Sequence, residues 1–175
     1  MASPTLTTCG VCGLYCEACP LFLGSTDDAA LLESFCKRSG KSREEATCHG
    51  CRSDALSWHC RSCKLKACAQ EKGLAFCAHC PEFPCAKFRR FADGDLEDPL
   101  VAGKRPHRME VMQDCQTIKE MGWQAWSLRM VVDYSCAACG TINSAYNVRC
   151  RKCGSVPGNA FVGRNQEAIL KFLKP

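Results

Sequence analysis

Apolar residues recur at helical spacing in several short stretches of this chain. In STDDAALLESFCKRSG, residues 25–40, Leu31, Leu32 and Phe35 form one stripe. Ser25 stands at the N-cap position, acidic residues fill the first turn, and Gly40 lies beyond the end. Cys36 adjoins the stripe with no cysteine neighbour, so it reads as core. Residues 109–130 predict a longer helix, because Val111, Cys115, Ile118, Gly122 and Trp126 recur three or four residues apart; Cys115 belongs to that packed face. Shorter helix-like runs follow in KACAQEKG, with Gly73 as a stop, in CAKFRRF, and in the closing RNQEAILKFL. Across residues 91–108 Gly, Pro and charge take over, which marks a linker or long loop.

These stripes are thin. The first 85 residues hold only six of the Phe, Tyr and Trp residues, too few for burial alone to hold such a chain together. The compositional extreme lies elsewhere, in 18 cysteines among 175 residues. The start, MASPTLTTCGVCG, has no basic segment leading into an apolar core, and no apolar run reaches the roughly 18 residues of a membrane span. A reducing, cytoplasmic setting is therefore expected, and there dense C-x2-C pairs indicate metal rather than disulfides.

The cysteine pattern supports this. Cys9, Cys12, Cys16 and Cys19 stand at C-x2-C-x3-C-x2-C followed by Pro20. Cys48 and Cys51 form CHGC, a pair without partners of its own. Cys60, Cys63 and Cys68 stand at C-x2-C-x4-C, and Cys77, Cys80 and Cys85 repeat that rhythm seventeen residues later. Each repeat offers three ligands, its third cysteine placed near a helix N-terminus where the dipole favours a thiolate. Near the C-terminus, Cys136, Cys139, Cys150 and Cys153 form two C-x2-C-G knuckles separated by ten residues, the spacing of a zinc ribbon whose glycines take positive φ while short strands pair between them. Setting aside Cys36 and Cys115, sixteen cysteines remain, enough for four tetrathiolate sites. The two repeats are expected to share the CHGC pair, one sulfur each; the alternative is an exchange of partners in which that pair completes a site with Cys16 and Cys19. His49, His59 and His79 lie inside the clusters, as ligands or as hydrogen-bonded neighbours.

The formal charge of +5 changes sign on this reading: sixteen thiolates holding four divalent ions contribute −8 and bring the net to −3. The basic runs CRSCKLK, KFRR and GKRPHR then read as solvated surface.

At CGLYCEACP, CHGCRS, CKLKACAQEKGLAFCAHCPEFPC and CGTINSAYNVRCRKCG the chain resembles an uncharacterised cysteine-rich family, domain-of-unknown-function family thirty-seven ninety-five. The resemblance implies metal binding and a cytoplasmic setting and brings no established activity. The family pattern begins at Cys12, which leaves Cys9 outside it.

The expected architecture is a small metal-rich α+β protein of short helices and zinc-knuckle turns with little regular sheet, plus a C-terminal β zinc ribbon. Residues 1–90 form a cysteine-rich multi-metal domain, 91–130 a linker and amphipathic helix, and 131–175 the ribbon and C-terminal helix. The expected function is a zinc protein with three to four sites, acting as a metal-stapled platform for another protein. One alternative is an electron-transfer protein with one or more [4Fe–4S] clusters in the N-terminal part and zinc kept in the ribbon. Cys12, Cys16 and Cys19 at C-x3-C-x2-C favour it, whereas the order departs from that of bacterial ferredoxins. The other is nucleic-acid binding through Arg149, Arg151, Lys152 and Tyr146, a small footprint. No Gly-rich phosphate loop, H-E-x-x-H or G-x-S-x-G is present, so no catalytic residue is assigned; an open three-cysteine site could still hold a catalytic metal.

Overall fold

The structure, a computed structural model, describes residues 5–94 and 105–174. The first cysteine run leads into α1 (Pro20–Thr26), with Cys19 at the N-cap and Pro20 at the first helical position, where a missing N–H costs nothing. A turn at Asp27 and Asp28 reverses the chain into α2 (Ala29–Ser39). The single helix expected from Ser25 is thus two: the Ser25 hydroxyl donates to the Leu21 carbonyl within α1, and Asp28 caps α2 by accepting from the Leu31 N–H. Gly40 ends α2 in the left-handed region, as expected. A Ser42/Glu45 capping box starts α3 (Arg43–Ala46), and α4 (Trp58–Arg61) follows the CHGC loop.

The two cysteine repeats each feed a helix, α5 (Lys64–Glu71) and α6 (Ala86–Asp93). Cys85 caps α6 as its spacing suggested, but Cys63 rather than Cys68 caps α5, and Cys68 sits inside that helix. The expected linker falls largely on residues 95–104, outside the described residues. The helix expected over 109–130 is two elements, α7 (Val111–Met121) and α8 (Trp123–Tyr134), divided at Gly122 with φ 83°. Both turn apolar residues inward, so the periodicity runs through the break: Val111, Cys115 and Ile118 from α7 and Trp126 and Met130 from α8 are all buried. The chain ends in α9 (Ala160–Arg164), capped by Asn159, and α10 (Gln166–Leu173).

One apolar cluster joins Cys9, Phe76, Phe88, Trp126, Phe161 and Ile169, so the N-terminal segment, both cysteine repeats and the C-terminal helices feed a common core. A smaller cluster of Leu21, Leu32, Ala46 and Cys48 sits in the α1–α2–α3 region. Among the described residues there is no β-sheet, only isolated antiparallel bridges at Cys9–Tyr15 and Ser135–Ile142. The expected β ribbon is not seen. Between the knuckles, side chains occupy backbone groups that a strand ladder would use: Ser144 N–H donates to Asn147 Oδ1 and Tyr146 N–H to Ser144 Oγ.

Candidate metal centres

The C-terminal cysteines converge. Among the described residues, the sulfurs of Cys136, Cys139, Cys150 and Cys153 form the only group of three or more potential ligand atoms lying within 4.8 Å of one another. Cys136 and Cys153 stand 3.6 Å apart, as do Cys139 and Cys150. The two knuckles have matching backbones. Gly140 N–H donates to the Cys136 carbonyl and Gly154 N–H to that of Cys150, while Cys136 and Cys150 N–H groups reach the carbonyls of Thr141 and Ser155. Gly140 and Gly154 take φ of 72° and 77°, the conformation that lets each knuckle turn back on itself and that a side chain would strain.

The surroundings favour thiolate at Cys150 and Cys153, whereas at Cys136 the Ala138 and Cys139 N–H groups are outweighed by burial and the Cys153 and Cys150 thiols, which raise it. Burial works against ionising Cys150, but the N–H groups of Cys153 and Lys152, the Asn143 amide and the Cys139 thiol outweigh it and bring Cys150 down to about 6. The Ser155 hydroxyl and N–H lower Cys153. Asn143, fully buried, ties the two knuckles together. Its amide donates to the Thr141 and Gly158 carbonyls (2.8 and 3.0 Å) and approaches Cys150 Sγ at 3.5 Å, while its Oδ1 accepts from Arg151 N–H at 2.9 Å. Asn159 anchors the same loop by donating to the carbonyls of Asn143 and Ser144. Sequence reasoning missed both asparagines; the only signal was an Asn between two knuckles, which ligand spacing does not rank.

The N-terminal cysteines gather more loosely. The Cys51 N–H donates to Cys16 Sγ at 3.3 Å. Burial first, then the neighbouring Cys63 and Cys51, pushes the Cys12 thiol well up. Burial and then Cys51, Cys19 and Cys48 do the same to Cys16. Cys48 and Cys60 are hydrogen-bonded to one another, which lowers Cys48 to about 5 and raises Cys60, and Cys19 adds to the rise at Cys60. Cys51 and Cys63 thus neighbour Cys12, Cys19 and Cys48 neighbour Cys60, and Cys16 lies between, near Cys51, Cys19 and Cys48. The CHGC loop reaches this position because Gly50, at φ 111°, presses on the N-terminal segment, where a Cβ would lie 2.6 Å from the Thr7 carbonyl. Arg52 secures it by donating to the Cys9 carbonyl at 3.1 Å and lying over the Phe76 ring.

The remaining four, Cys68, Cys77, Cys80 and Cys85, line one cleft of about 380 Å³ between α5 and the start of α6. Burial, followed by Cys85, Cys63, Cys68 and Cys80, pushes Cys77 up to about 12.

Two buried cysteines stand apart. Cys9 donates to the Thr5 carbonyl at 3.4 Å, and burial, only partly offset by Ser127 and Arg52, raises it to about 11, a neutral thiol. Cys115 donates to the Cys12 carbonyl at 3.4 Å from the packed face of α7. Cys36 lies partly buried on the small apolar cluster against which Cys19 and Cys60 also pack. The His59 ring stacks on Trp58 and the His79 ring meets the edge of Phe76. Arg151, counted among basic residues of a nucleic-acid footprint, donates to the Ile142 carbonyl and faces Asp27 and Asp28. All eighteen thiols are free of disulfides, and no described helix is long and apolar enough to cross a membrane.

No curated protein and no solved structure matches this chain. The model of one family, described as protein of unknown function (DUF3795), matches residues 8–90, just under half of the chain. That stretch takes in Cys9 and runs through Cys85, whereas the C-terminal quartet lies outside it, so the resemblance belongs to the N-terminal half alone.

Proposed function

We propose that this is a multi-site zinc-binding protein whose C-terminal quartet holds one Zn²⁺ as a structural staple and whose surface receives another protein, in a reducing cytoplasmic setting. The observation that carries this reading is the convergence of four sulfurs. Zinc–thiolate bonds of about 2.3 Å in a tetrahedron imply sulfur–sulfur edges of about 3.8 Å, and two such edges in the fold are 3.6 Å. A closed four-sulfur site leaves no position for substrate, so the ion would supply crosslinking rather than chemistry, worth roughly 10 kcal/mol or more of apparent binding energy. Cys136, Cys139, Cys150 and Cys153 would hold it, with Asn143 orienting the Cys150 sulfur. For the docking face, Leu128 and Val132 stand one turn apart on α8 and are 50% and 69% exposed. Zinc-edge X-ray absorption tests the staple, since four sulfur neighbours at about 2.3 Å are expected; an oxygen-rich shell would sink it. The docking reading predicts that a protein co-purifying with the wild type is lost from Leu128→Glu/Val132→Glu.

A second reading, an iron–sulfur electron carrier, draws on the N-terminal half, where Cys51 and Cys63 neighbour Cys12 while Cys48 and Cys60 neighbour one another. A zinc knuckle brings both sulfurs of a pair to one ion, whereas in two-cluster ferredoxins a cysteine followed by proline serves the neighbouring cluster. Cys19, followed by Pro20, neighbours Cys48 and Cys60 as well as Cys16, which supports a role for it beyond its own pair.

A further inference from the structure

We infer that the cleft lined by Cys68, Cys77, Cys80 and Cys85 is the seat of one [4Fe–4S] cluster, a different kind of centre from the C-terminal quartet. The inference takes up the iron–sulfur chemistry of the second reading and stands independently of the zinc staple.

Four cysteines from three successive elements face one cleft. Cys68 comes from the middle of α5, Cys77 and Cys80 from the turn that follows, and Cys85 from the N-cap of α6. The second repeat thus draws its fourth thiol from the first repeat. No three of these sulfurs fall within the 4.8 Å span that unites the quartet, and the cleft between them measures about 380 Å³. The two geometries suit different occupants. A single zinc ion draws its sulfurs to edges of about 3.8 Å and fills the space between them. A cubane sets an iron behind each thiolate and four sulfides among the irons, so its cysteine sulfurs stand farther apart around an interior volume.

The walls suit such a group as well. Leu65, Leu74, Phe83 and Phe88 supply an apolar lining that limits water. Four thiolates on a [4Fe–4S]²⁺ core carry a net charge of −2, the four thiol protons leaving to solvent as the bonds to iron form. Lys72 offers a donor to the cluster's thiolates: its ammonium points toward Cys80 Sγ at 3.8 Å and is positioned there by Glu82 at 2.6 Å. Lys87, Glu71 and Glu82 lie in the same wall, so the lining's own charges balance. The Cys80 and Phe83 N–H groups close the turn onto the Cys77 and Cys80 carbonyls, which fixes the pair before any ligand arrives.

The test is reconstitution of the full chain without oxygen, with ferrous iron and sulfide under a thiol reductant, followed by iron, sulfide and zinc determination. Cys85→Ala should hold about four fewer irons and four fewer sulfides than the wild type, with zinc unchanged. Unchanged iron, or the loss of one zinc in place of iron, would overturn the inference, whereas failure of the staple would appear as a zinc deficit in the wild type with iron unaffected. Should Cys85→Ala not fold, alkylation of the wild type decides. Cys68, Cys77, Cys80 and Cys85 should resist iodoacetamide together in the iron-loaded protein and react together once the iron is chelated away. Equal labelling in both states would overturn it.

Discussion

Replacing Asn143 by alanine tests the quartet through a residue that is not itself a ligand. The amide bonds the Thr141 and Gly158 carbonyls and approaches Cys150 Sγ, and its oxygen receives Arg151 N–H, all in a fully buried position. Alanine deletes these contacts and leaves the Gly158 carbonyl and the Arg151 N–H without the partner they have now, while the Thr141 carbonyl keeps only the Cys136 N–H. At about 1 kcal/mol net for each neutral hydrogen bond, and more for a buried group left unpaired, the C-terminal segment should lose roughly 3 kcal/mol. Loss of the contact to sulfur should weaken zinc binding by roughly 10- to 100-fold, the usual consequence of removing an outer-shell partner. The assay is competition between the protein and a chromophoric chelator for zinc at fixed pH. Asn165→Ala is the control, because Asn165 bonds Glu110 and the Phe161 carbonyl without touching a cysteine. A zinc affinity in Asn143→Ala within about twofold of the wild type, or an equal loss in Asn165→Ala, would refute the assigned role.

Two further outcomes are expected. Burial raises Asp114 to about 7 despite the Trp126 indole and the Arg129 guanidinium, with Glu110 and Asp133 adding to the rise. Because the folded value exceeds the unfolded one of about 3.9, the protonated form contributes stability that is complete below pH ~4 and lost as pH climbs through about 7, an effect bounded at roughly 4 kcal/mol. The melting temperature of Asp114→Asn should therefore gain on that of the wild type between pH 4 and 8, and a gap that stays constant would count against it. Cys9→Ala should keep the metal content of the wild type, since the Cys9 thiol is neutral and bonded to the Thr5 carbonyl; elemental analysis showing a lost ion would make Cys9 a ligand after all.

Local spacing carried the parts of this molecule that depend on local geometry. The C-x2-C-G knuckles, the stop at Gly40 and the packed role of Cys115 all follow from neighbouring residues, and the fold places them accordingly. The strands between the knuckles were not legible, because the decisive groups are the Ser144, Asn147 and Asn143 side chains bonding to backbone, a choice that knuckle spacing does not register. The break at Gly122 was hidden by the periodicity itself: two helices facing one core continue the apolar rhythm across the turn. The grouping of the N-terminal cysteines was hidden for another reason. Counting ligands shows how many sites can form, but which sulfurs Cys48 and Cys51 meet depends on where the loop docks, and Gly50 against Thr7 and Arg52 against Cys9 determine that at long range.

The zinc staple is tested most directly by counting zinc per chain in the wild type and in Cys139→Ser/Cys150→Ser, both purified without oxygen. Loss of one zinc ion in the double variant, with iron and sulfide unchanged, is the expected result. Equal zinc in the two proteins would place the ion elsewhere and contradict the assignment of the quartet.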